Sequence, residues 1–174
     1  MRVSKKMSWL LRHGANEVGL RMDDAGWASI EDVLRQLRLR RSVLDEVVEG
    51  NDKHRFEVVG SRIRASQGHS LAGTPVTVEG LERSWERVVG RTEPLIHGTN
   101  RAAAEVIRRE GLLPMDRTHV HMASSADDKV GKRYRVQVLL RICPLRLAGA
   151  GLELFRSPNG VMLARRVPVE ALLD

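Results

Sequence analysis

Apolar residues recur at helical spacing through the opening third of the chain, then give way to alternation. Between Ser4 and Leu11 the pattern predicts an amphipathic helix capped by Ser4, with Trp9 and Leu10 on its buried face. A turn over "DDAGW" (Asp23 to Trp27) leads to a second helix. There Ser29 suits the N-cap, Glu31 and Asp32 complement the dipole of the first turn, and Ile30, Val33, Leu34 and Leu37 share one face. "RSVLDEVVEG" reads as a third helix, stopped by Gly50. "RFEVVGSRIRAS" alternates on both sides of Gly60 and Ser61, which signals a hairpin.

Three helices followed by a hairpin is the order of a winged helix, a relative of the helix-turn-helix. The Gly-, Ser-, Thr- and Pro-rich stretch "GHSLAGTPVTVEG" marks a boundary. The expected organisation is a lobe over residues 1–75, a connecting segment over 76–93 with a polar stretch near Trp85, and a second lobe over 94–174. In the second lobe "PLIHGT" reads as strand into loop, and "NRAAAEVIRREG" as a helix capped by Asn100 and ended by Gly111. "HVHMA", "YRVQVLLRIC", "LELFRS" and "GVMLARRVP" are strand-like, so this half is mixed and strand-rich, and the fold class is α+β.

Composition changes the picture in two ways. Aromatics are only 3% of the 174 residues, so Val and Leu must do most of the packing and base stacking contributes little. The net charge of +7 makes nucleic acid the first partner to consider. The excess is spread: 13 basic and 10 acidic residues up to Pro75 give +3, and 16 and 12 beyond it give +4. That favours a folded phosphate-handling surface over a basic tail. No run approaches the roughly 20 apolar residues that span a bilayer, and the apolar part of "MRVSKKMSWLL" is too short for a secretory signal. The single cysteine, Cys143, fits a reducing compartment, and the expectation is a cytoplasmic protein, monomeric by default, with no membrane partner.

The chemistry-bearing residues sit where the pattern turns or ends. Arg12 and His13 close the first helix, Arg64 leaves the hairpin, His97 to Thr99 follow a strand, Arg117, His119 and His121 share "DRTHVHM", and Asn159 lies in "SPNGVML". His119 and His121 have strand spacing, but no carboxylate or cysteine stands at a ligand spacing and there is no HExxH, so no metal is expected. There is no GxSxG, and Cys143, before Pro144 in an apolar strand, reads as a packed core thiol. GxGxxG and GxxxxGK[ST] are absent, which excludes a Rossmann site or a P-loop. What remains is Arg forks beside His, which suits a substrate that brings its own anion.

Taken in order, "SKKMSWLLRHG", "DDAGW", "DKHRFEV", "IRASQGHS", "HGT", "GLLPMDRTHVHMA", "VGKR" and "SPNGVML" resemble the NAD-dependent RNA 2′-phosphotransferase family, over nearly the whole chain. The resemblance implies a winged-helix lobe that holds RNA and a lobe similar to ADP-ribosyltransferases that holds NAD. It also implies a two-step reaction on an RNA 2′-phosphate, tRNA-like in the best-known case. The phosphate attacks C1″ of the nicotinamide ribose and nicotinamide leaves. The ribose 2″-hydroxyl then attacks phosphorus, giving ADP-ribose 1″,2″-cyclic phosphate and a free RNA 2′-hydroxyl.

Carried over, the family's Arg-His-Arg-Arg set falls on Arg12, His13, Arg64 and Arg117, the last supplied by the second lobe. His97, Gly98, Thr99, His119, His121, Ser124, Arg133 and Asn159 are implied on the NAD side. The His, Tyr or His, and Glu of similar transferases fall at His97, His121 and Val161; a phosphate acceptor is already ionised, so a carboxylate at Val161 would repel it. Some relatives carry an aromatic where Ile96 stands. Read without the family, Arg12 is a surface arginine at a helix end, His13 a cap, His119 a buried strand residue and Asn159–Gly160 a plain turn. Trp27 reads as an anchor, and Lys53, Arg55 and Phe56 as a brace for the wing rather than an RNA contact. Two other functions compete: a non-catalytic winged-helix nucleic-acid binder, and a transferase that leaves ADP-ribose on a nucleic-acid phosphate end. Nicotinamide release separates the first and a stable ADP-ribosylated product the second.

Overall fold

The computed structural model describes residues 3–126 and 136–173. The chain forms two compact units. One runs up to Ser84 and also takes in Asp116–Thr118; the other holds Trp85–Met115 and His119 onward. Arg117, expected with the second lobe, therefore belongs to the first unit.

The first unit opens with α1 (Val3–Trp9), but the helix does not end at Leu11. It widens into a π turn over Leu10–Gly14 and continues as α2 (Ala15–Val18), stopping at Gly19, whose φ of 66° is left-handed. The buried face is Met7, Leu10 and Leu11, while Trp9 is 38% exposed, contrary to the expected packing. Its ring covers Gly14 instead: a Cβ there would lie 2.5 Å from the indole. Next come β1 (Ala28–Ser29), α3 (Ile30–Leu37) and α4 (Arg41–Glu49). Ser29 holds the N-cap position without a side-chain cap bond; Ile30 N donates to Ser61 O instead. The hairpin is β2 (Phe56–Val59) and β3 (Arg62–Ala65) around Gly60, and β1 pairs antiparallel with β3, giving the order β1-β3-β2. Ile30, Val33, Leu44, Phe56 and Ile63 meet the first helix in one core. The stretch read as a connection contains a further helix, α5 (Val78–Ser84), seated close because Gly80 faces the backbone of Asp24.

Among the described residues of the second unit every strand pair is antiparallel. Strands β4 (Glu86–Val88), β8 (Leu154–Arg156), β9 (Met162–Ala164) and β6 (Val120–Met122) form one sheet in that order. Strands β5 (Leu95–Thr99) and β7 (Val138–Ile142) form a second, and bonds between Ile96 and Ala123 link β5 to the end of β6. Helix α6 (Arg101–Glu110) starts at Asn100, whose Oδ1 accepts from Ala103 N at 2.8 Å, and ends at Gly111 with φ 82°. Cys143 is not a core strand thiol. The strand stops at Ile142, Cys143 is half-buried, and Pro144 starts α7 (Pro144–Gly149), because proline fits the first helical turn and not a ladder. The class is thus mixed α and β with small antiparallel sheets. No helix among the described residues is long and apolar enough to cross a membrane.

The loop after β3 lies against the π turn with no room to spare. A Cβ on Gly73 would stand 1.9 Å from the carbonyl oxygen of His13. Gly73→Ala must push that backbone aside, and a loss of about 1–3 kcal/mol is expected by denaturant titration.

Candidate functional site

A π turn inserts a residue into a helix and leaves backbone groups without their usual partners. Here the loop after β3 takes them. Ser70 N donates to Arg12 O at 2.9 Å, Asn16 N donates to Gly73 O at 3.0 Å, and Asn16 Nδ2 donates to Ala72 O at 3.1 Å. The sequence "RHG" and the sequence "QGHS" are in this way one local structure. Arg12 turns into it. Its Nε and Nη2 are buried and have no acceptor among the described residues. Gly68, at φ 89°, brings bare backbone alongside the guanidinium.

Burial first, then the charges of Arg117 and Arg55, lower the pKa of Arg12 to about 10. It remains a cation at neutral pH, held among cations. His13 is shifted down by burial, Arg12 and Arg117, so its imidazole is neutral near pH 7. Its Nδ1 lies 3.2 Å from Ser70 Oγ. Arg117 is exposed and lies beside the same loop, for Thr118 N donates to His69 O at 3.1 Å. Arg55 stands at the end of the turn begun by Asn51 and enters β2 at Phe56.

Arg64 is 3% exposed and bonded to protein groups. Its Nε donates to Glu57 Oε2 at 2.7 Å, its Nη1 to Ser84 Oγ at 2.6 Å and to Ala25 O at 3.3 Å, and its guanidinium covers the Trp27 ring at 4.6 Å. The physical reason is register: Arg64 opposes Glu57 across the hairpin, so a carboxylate neutralises it before any ligand arrives. Arg55, read from sequence as a brace for the wing, donates from its N at 3.5 Å and its Nη1 at 3.3 Å to Asn51 Oδ1. That Asn heads "NDKHRF", an Asx-type turn former that fixes the direction of the next few residues.

In the second unit His97 lies on β5 and donates from Nδ1 to His121 O at 2.9 Å. That bond makes Nδ1 a protonated nitrogen and fixes the ring's direction. Gly98 and Thr99 are buried on the same strand. His121 is half-buried on β6, and Ser124 accepts at its carbonyl from Arg91 at 3.0 Å. Two other expected residues, His119 and Asn159, contact neighbouring protein groups. His119 is fully buried, edge-on to Trp85 at 5.0 Å and to Phe155 at 6.5 Å. Asn159 accepts from Ser157 Oγ at 2.8 Å inside the turn that Gly160 closes. Val161 is fully buried, so a glutamate there would test burial of a charge as much as chemistry. Arg133 lies outside the described residues. Among the described residues no group of His, Cys, Asp and Glu could hold a metal ion.

A buried cation with unused donors, flanked by two more guanidinium groups and a neutral imidazole, is chemically a receptor for a compact polyanion. Comparison with known proteins agrees. A family model described as "RNA 2'-phosphotransferase, Tpt1 / KptA family" matches residues 1–166. Proteins named "Probable RNA 2'-phosphotransferase" are similar along their length. That of Rhizobium leguminosarum bv. trifolii is 39% identical over 98% of this chain and 91% of its own. That of Burkholderia lata is 39% identical over 99% and 90%, and that of Flavobacterium johnsoniae 36% identical over 95% and 91%.

The two kinds of arginine separate by experiment. Arg64→Ala leaves Glu57 and Ser84 without their partner, and a loss of about 3 kcal/mol of folding stability is expected by urea titration. Arg12→Gln should do the reverse. The folded pKa of Arg12 lies below that of the unfolded chain, so the folded state bears the full charging penalty at neutral pH and sheds it only as pH rises through about 10 and beyond. Removing the charge is expected to stabilise the unliganded protein by roughly 1–3 kcal/mol at pH 7. A variant that melts lower than the parent would refute that assignment.

Proposed function

The chain belongs to the RNA 2′-phosphotransferase family, and from that premise we propose how its own residues carry the reaction. It is an enzyme that removes a 2′-phosphate from RNA. In our reading the phosphate is gripped in the first unit by Arg12, Arg55 and Arg117, with His13 beside them. One observation carries this: Arg12 keeps two buried donors without an acceptor among the described residues, while Arg55 and Arg117 add to its charge instead of relieving it. Leaving such groups unpaired is costly in an empty protein, and a dianion removes the penalty. We add Arg55 to this set; Arg64, which the resemblance also implies, donates to Glu57, Ala25 and Ser84.

NAD, when bound, supplies an electrophilic ribose carbon whose leaving group is nicotinamide. We assign it to the second unit, where the residue set fits a ribose. His97 is oriented by its bond to His121 O, and Gly98 lets the backbone approach. His121 and Ser124 are the next candidates, whereas His119 and Asn159 act through packing and a turn. The element order of the first unit supports the winged-helix description, and the antiparallel, strand-rich second unit is compatible with an ADP-ribosyltransferase-like one.

The chain's contribution to rate is position and charge. The arginines fix a nucleophile that needs no activation, because a phosphate is already ionised at neutral pH. Holding it in attack geometry accounts for up to roughly 7–11 kcal/mol of a barrier. Fixed donors also stabilise charge as it shifts between phosphate oxygens. His13, neutral near pH 7, is suited to hold a proton in transit.

The test mixes the protein with NAD and RNA oligonucleotides phosphorylated at the 2′, 3′ or 5′ position and monitors nicotinamide. Release with the 2′-phosphate, with a cyclic ADP-ribose phosphate as product, is the expected result. A stable ADP-ribosylated end would assign the alternative transferase chemistry. Arg55→Ala is expected to lower turnover about 100-fold or more while Tm changes little; an Arg55→Ala enzyme as active as the parent would remove Arg55 from the site.

A further inference from the structure

The arginines of the first unit are oriented in two chemically different ways. Arg64 is held by a carboxylate, Glu57. So are the exposed Arg35, Arg41, Arg62 and Arg83, by Asp32, Asp45, Asp23 and Asp24. Arg55 is held by a carboxamide. Asn51 is 5% exposed, and its Oδ1 accepts three donors: Lys53 N at 3.2 Å, Arg55 N at 3.5 Å and Arg55 Nη1 at 3.3 Å. Ser66 completes the frame. Its N donates to Arg55 O at 2.9 Å, and its Oγ donates to His54 O at 2.8 Å across a residue whose φ is 42°. Among the described residues Arg55 has no ion pair.

We propose that Asn51 is a positioning residue for the phosphotransfer reaction: a buried neutral acceptor that aims the Arg55 guanidinium while leaving its charge for the RNA 2′-phosphate. The inference rests on the reading that Arg55 contacts that phosphate. The chemistry comes from the difference between the two holders. A carboxylate and a carboxamide oxygen have nearly the same size and both accept from N–H groups. A carboxylate also discharges the cation it orients, and the phosphate would then have to compete with it. An amide oxygen spends one donor of the five and none of the charge. The same oxygen closes the turn, so backbone and side chain of Arg55 are set by one atom.

Asn51→Asp tests this directly, because it keeps the acceptor and adds the charge. The variant is expected to fold as the parent does, with Tm equal or higher, since Asp can accept the same three bonds. Its affinity for a 2′-phosphorylated oligonucleotide should fall about ten-fold or more. The slope of log Kd against log salt should shrink by about 0.7–0.9, the value of one lost effective cation. Asn51→Ala removes the acceptor altogether, and lower Tm together with weaker binding is expected. An Asn51→Asp protein that binds the oligonucleotide with the parent's affinity and salt slope overturns the proposal. Binding is read without NAD, so this outcome is separate from failure of nicotinamide release in the parent, which would instead overturn the reading of the reaction.

Discussion

The constraint on which the first unit turns is a cation that the protein buries and declines to neutralise. Arg12 could have been left in water by one more regular helical turn. Instead the helix widens at Leu10–Gly14, and the loop through Gly68, Ser70 and Gly73 fills in the backbone bonds that the widening frees. The close approach explains the glycines: Gly73 faces a carbonyl and Gly68 a guanidinium. A π turn in this position is understandable as a trade of local helix regularity for the aim of one side chain.

Charge pairing sorts the remaining arginines. Where a carboxylate holds the guanidinium, as Glu57 holds Arg64, the pair joins elements: Arg64 ties the hairpin to the turn at Ala25 and to the end of α5 at Ser84. Where the partners among the described residues are neutral or lacking, as for Arg55 and Arg12, no carboxylate cancels the charge. The same criterion explains why a basic chain need not carry a basic tail. Part of its positive charge is paired in place with carboxylates.

Much of the fold was legible in the sequence. The second helix, the third helix, the hairpin, the Asn100 cap and the Gly111 stop emerged from periodicity and local chemistry, because each is decided by residues within a few positions. The illegible features depend on distant partners. Nothing near Arg12 announces a π turn; the cause lies some sixty positions on, in the loop that receives its carbonyl. Helix α7 was hidden because an apolar strand runs directly into Pro144, and α5 because a seven-residue helix is stabilised by packing on Asp24 and not by its own pattern.

Arg64 and Arg55 are held in contrasting ways. The motif around Arg64 and its place at the end of an alternating stretch are those of a functional residue, and Arg55, three positions after an aspartate, looks like a brace. Cross-strand register puts Glu57 opposite Arg64, while Asn51 holds Arg55. Reading a basic motif therefore requires asking which arginines already own a carboxylate. In an antiparallel hairpin that question has an answer before any side chain is built: the turn at Gly60–Ser61 fixes the register, the register pairs 57 with 64, and the pairing leaves the cation at 55 uncancelled.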